Sequence, residues 1–226
     1  MQRAGGAQAL SGQAIQESVL ATNKVLKNTY LLLSATLLFS ALTAGISMAL
    51  ALPPITYLIS VGIAFVAGIF VLPRTANSSA GIGVIFLITG MLGLGLGPLL
   101  TMYLELPKGP QIIGTALGGT GAIFLTLSAY TLKSQRNFNF MGGFLFAGFM
   151  VVVIAMLANI FLDMPALSLA LSAGIILLMS GFILFDTSRI ARGEETNYIM
   201  ATYGIYLAIF NIFINLLALL GIMGDD

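Results

Sequence analysis

Seven long apolar runs leave this chain almost no choice of solvent. They lie at Tyr30–Leu52, Ile55–Leu72, Gly81–Tyr103, Gln111–Leu132, Met141–Leu162, Pro165–Phe185 and Ile199–Gly221. A helix needs about 20 such residues to cross roughly 30 Å of hydrocarbon. The runs are continuous rather than alternating, which favours helices over the strands of a membrane β-barrel. Composition agrees: 8% of the 226 residues are charged, where a soluble domain carries about 25%. So few charges cannot build a water-facing surface. The expected fold is an all-α membrane protein with seven transmembrane helices.

The breaks between runs are chemically sensible. Pro53-Pro54 cannot continue a helix and marks a tight hairpin. Pro73, with Arg74, Asn77 and Ser78, ends the second span, and Pro107-Lys108-Gly109-Pro110 separates the third from the fourth. Lys133, Arg136, Asn137 and Asn139 follow the fourth, while Asp163 and Pro165 separate the fifth from the sixth. Arg189 to Asn197 is the most charged loop. Residues 1–28 read as a flexible cytoplasmic tail ahead of a transmembrane domain at 29–226, with Ile15, Val19, Leu26, Lys24 and Lys27 hinting at a short amphipathic segment. Ala49-Leu50-Ala51 resembles a signal-peptidase site, but the apolar run before it is too long for a signal peptide.

Orientation follows from the basic residues. With the N-terminus inside, Arg3, Lys24, Lys27, Arg74, Lys133, Arg136, Arg189 and Arg192 share the inner side, and Lys108 stands alone outside. Seven spans then place the C-terminus outside. A net charge of +1 gives no electrostatic footprint for nucleic acid.

The chain has no Cys and no His. Thiol nucleophiles, the usual Cys/His zinc sites, haem ligation by those residues and imidazole-based triads are therefore excluded. An intramembrane aspartyl protease needs two facing carboxylates, whereas Asp186 and Asp163 sit at opposite faces of the membrane. No enzyme and no cofactor is expected. Gly118-Gly119-Thr120-Gly121 lacks the strand and the Lys-Ser/Thr of a phosphate loop. Gly93/Gly97 and Gly114/Gly118 have the G-x-x-x-G spacing that lets helices approach closely in lipid.

Asp186 is the most informative polar residue, because carboxylates in spans are costly. It lies three residues before Arg189, leaving two readings open. Asp186 either pairs with Arg189 at a wet interface or faces the bundle interior as a proton or cation sensor. Asn211 and Asn215 share a face of the last span, and Asn159 lies in the fifth. Hydrogen bonds between helices are expected of all three.

Several segments resemble the Bax-inhibitor-one family of seven-helix membrane proteins, and within it the bacterial YccA branch. They are Thr22–Tyr30, Ala116–Thr120, Ala158–Leu162, Phe185-Asp186-Thr187-Ser188, Glu194-Glu195-Thr196-Asn197-Tyr198-Ile199, and Tyr206 to Phe213. The resemblance covers almost the whole chain. It implies a multi-pass protein of the bacterial inner membrane that binds and inhibits FtsH, a membrane-anchored AAA protease. The wider family also implies an alternative, a pH-sensitive calcium or proton leak channel centred on Asp186; the candidate proton- or cation-sensing residues of this chain are Asp186, Arg189 and Asn211. Such leaks are thought to use two aspartates and an Arg from the second span. Here Ala208 stands where the second aspartate is expected, and the second span has no Arg before Arg74.

Overall fold

The computed structural model describes the backbone of residues 2–224 and the side chains of residues 20–222. Within these residues the chain forms seven antiparallel helices and no strand. They are α1 Gln2–Ala49, α2 Ile55–Thr75, α3 Ala80–Leu104, α4 Gly109–Ser134, α5 Met141–Leu162, α6 Pro165–Ala191 and α7 Tyr198–Gly224. Each carries a window long and apolar enough to cross a membrane.

Helix α1 passes the expected tail boundary at Asn28 without a break. No proline interrupts Gln2 to Asn28, and Val25 and Leu26 find apolar partners in the core. Ile15 and Val19, two of the five residues of the expected amphipathic segment, lie outside the described side chains. Helix α2 also runs further than expected, past Pro73 to Thr75. The proline ring lacks an N–H and crowds the carbonyl four residues back; a π-helical turn at Ala67–Val71 widens the helix just ahead of it.

The most extensive contact joins α1 to α3, and its chemistry is local. Pro98 sits inside α3 and cannot donate to the Leu94 carbonyl. Ser47 Oγ on α1 donates to that carbonyl instead, at 2.7 Å. Gly93 and Gly97 give α1 the room to do so. A methyl on Gly93 would lie 2.3 Å from the Ser40 carbonyl oxygen, and one on Gly97 would lie 2.1 Å from Ser47 Oγ. The expected close packing at this glycine pair is present. The second pair behaves otherwise: a methyl on Gly114 or Gly118 would meet nothing within 4 Å. Among the described residues, no other helix covers the face of α4 on which both glycines lie.

Replacing Ser47 with Ala should leave the Leu94 carbonyl buried and unpaired, at a cost of about 1–3 kcal/mol. Thermal unfolding in detergent should show it as a lower midpoint. Ser34→Ala is the control, because Ser34 Oγ only donates back to Tyr30 O of its own exposed turn. Equal midpoints for the two variants would remove Ser47 from the joint.

Helix α7 is the hub. It packs on α1, α3, α4 and α6, whereas α5 packs to any extent on α6 alone. Ile205, Tyr206, Ile212 and Leu217 of α7 are fully buried, and the Tyr206 hydroxyl donates to Ser40 Oγ at 2.7 Å.

Candidate functional site

One end of the bundle is knotted together by polar contacts, and the α6–α7 loop is the knot. Helix α6 does not stop at Phe185 as expected but continues to Ala191. The loop then folds back, with the Glu194 and Glu195 amides donating to the Arg189 carbonyl at 2.9 and 3.2 Å. Gly193 supplies the positive φ of 73° that this reversal requires, and a methyl there would also strike Thr22 of α1.

Asn197 starts α7 as its N-cap. Its Oδ1 accepts from the amides of Ile199 and Met200 at 2.9 and 3.1 Å. Its Nδ2 donates to Ala76 O at 3.0 Å and Asn77 Oδ1 at 2.8 Å, which ties down the α2–α3 turn. Glu195 Oε1 accepts from the Asn197 amide at 2.9 Å. The Glu194 carboxylate accepts from Asn139 Nδ2 and, at 2.8 Å, from Arg192 Nε. These bonds, Asn139 first, hold the Glu194 carboxyl below the ordinary glutamate range. Ser188 Oγ donates to Arg136 O at 3.0 Å and accepts from the Phe138 amide at 3.3 Å. Thr196 lines a groove with Thr22, and Tyr198 opens α7 against the core. The family-motif residues Glu194 to Tyr198 therefore sit where α1, α2–α3, α4–α5 and α6–α7 converge.

Asp186 lies inside α6, about one and a half turns before its end. Its carboxylate faces α7 at Gly204, where a methyl would come within 2.7 Å of Oδ2. A cleft of about 180 Å³ opens on it, with Arg189, Glu195, Met200, Tyr203 and Gly204 in its walls. Of the two readings left open for Asp186, the pair with Arg189 is not made. Arg189 Nη2 instead lies 3.3 Å from Glu195 Oε2, and its guanidinium sits 5.6 Å from the centre of the Phe185 ring. The reason is direction: Asp186 turns into α7, while Arg189 turns toward the loop that folds back over it. Among the described residues Asp186 has no hydrogen bond or ion pair.

Asn211 lies two turns further along α7 and does not line the cleft. Its Nδ2 donates to Leu207 O of its own helix at 2.8 Å, and Asn215 does the same to Asn211 O. The expected bond between helices is made by Asn159 alone, whose Nδ2 donates to Ser168 Oγ at 2.7 Å. Ala208 is buried against Ile183 and Ile212. Sequence reasoning missed Tyr203. A methyl on Gly68, in the π-helical turn of α2, would overlap the Tyr203 hydroxyl, so this side chain shuts the cleft on the α2 side. One tyrosine in an apolar run carries no signal that would single it out.

Seven apolar helices, one of them the hub, with a polar knot at one end, define a small polytopic membrane protein. The chain belongs to the family described as Inhibitor of apoptosis-promoting Bax1, whose model matches residues 22–225. It is 48% identical over 209 residues to the modulator of FtsH protease YccA of Escherichia coli K12, covering 92% of this chain and 94% of that one. A membrane protein of Vibrio cholerae is 51% identical over 93% of this chain and 94% of its own length. A Pseudomonas aeruginosa protein is 43% identical over 89% and 90%. The YccA of a second Escherichia coli strain is named an inner membrane protein. This chain is a multi-pass protein of the bacterial inner membrane.

Proposed function

We propose that this chain binds the membrane-anchored ATP-dependent protease FtsH and restrains its attack on other membrane proteins. The observation that carries the reading is the 48% identity, along nearly the whole of both chains, to a protein named as a modulator of that protease. The fold supports it in one respect. A tightly joined bundle whose loops are tied at one end is a poor substrate and a stable binding partner, and restraint by occupancy needs no catalytic residue. The test is co-purification of the tagged full-length chain with the protease from native membranes, alongside the decay of a known membrane substrate. Recovery of the protease, with slower substrate decay when the chain is overproduced, is expected. No recovery and unchanged decay would sink the reading.

The reading includes an orientation, with the N-terminus in the cytoplasm and the C-terminus outside. Its support is the placing of Arg74, Lys133, Arg136, Arg189 and Arg192 at the same end of the bundle, with Lys108 at the other. Alkaline phosphatase fused after Asp226 should be active; an inactive fusion, with a fluorescent protein glowing at the same position, would reverse the orientation.

The alternative, a calcium or proton leak centred on Asp186, draws its structural support from the cleft alone. A leak also needs a path beyond the carboxylate.

A further inference from the structure

Among the described residues the packing leaves no such path. The cleft enters from the end of the bundle that carries the α6–α7 loop, with the Arg189–Glu195 ion pair at its mouth. Its walls come from α6, α7 and the loop between them. The side toward α2 is shut where the Tyr203 hydroxyl meets Gly68. Below Asp186 the next turn of α6 presents Ile183, and below Gly204 the next turn of α7 presents Ala208; these are 0% and 1% exposed. They pack on each other and on Ile212, which is also 0% exposed.

The apolar layer continues. Met179 and Ile176 of α6, Leu216 of α7, and Ile123 and Leu127 of α4 pack around the same cluster. Along α7, from Ala208 to Leu216, it is about 12 Å deep at 1.5 Å per residue. Hydrophobic constrictions exclude ions by excluding the water that would carry them. The hydroxyl on the same face of α6, that of Ser180, donates back to the Ile176 carbonyl of its own helix at 2.7 Å.

We infer that the Asp186 cleft is a blind cup, open to one face of the membrane only, and that the apolar seal at Ile183, Ala208 and Ile212 makes this chain impermeable to ions. Asp186 exchanges protons or cations with the compartment at its mouth and passes nothing across. Ala208 is the determinant: a side chain of one carbon at that position lets α6 and α7 close on each other beneath the carboxylate. This inference does not depend on the protease reading, and either can fail without the other.

Two measurements test it on the full-length chain. The first reconstitutes the protein in liposomes loaded with a calcium or pH indicator. Flux at the level of protein-free liposomes is expected at neutral and mildly acidic pH. Flux well above that level, removed by Asp186→Asn, would overturn the inference. Ala208→Asp, checked for folding by size-exclusion chromatography, places a charge in the seal and is expected to raise flux. A folded Ala208→Asp that stays tight would overturn the assignment of the seal to this position.

The second measurement uses the natural absence of cysteine. Ala201→Cys lies in the cup and Ile212→Cys in the seal. A charged, membrane-impermeant thiol reagent should label the first from one side of the membrane only. It should label the second on the order of tenfold more slowly or not at all, because an excluded water column excludes the reagent too. Comparable labelling of both, or labelling of Ala201→Cys from both sides, would mean that the cup is not blind. Ala208→Cys serves the same purpose where Ile212→Cys does not fold.

Discussion

Gly93→Ala should destabilise the bundle severely, while the same change at Gly118 should be harmless or mildly stabilising. At Gly93 the added methyl lies 2.1 Å from Thr43 Oγ1 and 2.3 Å from the Ser40 carbonyl oxygen. A side chain can turn aside, but a backbone carbonyl in a neighbouring helix cannot, so α1 and α3 must separate along their largest shared face. Overpacking a well-packed core typically costs about 1–3 kcal/mol, and a collision with backbone belongs at or above the top of that range. Against a total stability on the order of 5–15 kcal/mol, that removes much of the margin. At Gly118 nothing lies within 4 Å. There the methyl only raises helix propensity, by up to about 1 kcal/mol. The measurement is the thermal midpoint of each variant by fluorescence-detected size exclusion. Midpoints that move together would show that the two glycine pairs do the same work.

The contrast also shows what the sequence could reveal. A G-x-x-x-G pair says that a helix can be approached closely; it does not say that anything approaches. Both pairs therefore read alike until the neighbours are placed. Span limits were legible where covalent chemistry enforces them. Helix α5 ends at Leu162 as expected because Asp163 takes a left-handed φ of 46° and Pro165 begins the next helix. They were illegible where polar residues stay helical. Asp186, Thr187, Ser188 and Arg189 read as an exit from the membrane, yet tertiary partners keep them in α6 to Ala191: Ser188 is bonded to the α4–α5 connection and Asp186 opens on the cleft. The partner of Arg189 stayed open for a related reason. Spacing of three residues permits the pair with Asp186, but a loop that reverses at Gly193 returns Glu195 to the arginine, and no local rule foresees that reversal. Asn211 stood beside Asp186 as a sensing candidate, whereas the helical register leaves it two turns away.

Removing residues 2–19 should lengthen the life of this protein in cells that contain the protease. An ATP-dependent protease grips an end of a chain and pulls. Under the proposed orientation the N-terminal end of α1 is the end it meets. What lies behind that end resists. Each span dragged from the bilayer exposes about 20 apolar residues, and each large apolar side chain moved into water costs roughly 1.5–3 kcal/mol. The first span to be pulled is also the one locked to α3 through Ser47 and the glycine pair. An engaged chain that yields slowly occupies the enzyme, and restraint of that kind needs no catalysis. The deletion should stop at Val19, because Thr22 abuts Gly193 and helps seat the α6–α7 loop. The shortened protein is expected to persist several-fold longer in a translation-block chase, and to slow decay of a membrane substrate for longer. In cells lacking the protease, full-length and shortened forms should decay alike. Equal lifetimes in its presence would remove this end as the handle.

The central place of α7 bears on how the molecule is made. It is the last of the seven helices to leave the ribosome, yet it is the one that touches α1, α3, α4 and α6. Until it inserts, the other six surround an unfilled centre, and the polar faces that await it, such as Ser40 opposite Tyr206, have only lipid or each other. Assembly of the native bundle is therefore a post-translational event, completed by the final hairpin. A nascent chain stalled before Tyr198 would be inserted but unfinished, and so exposed to quality control before its bundle closes.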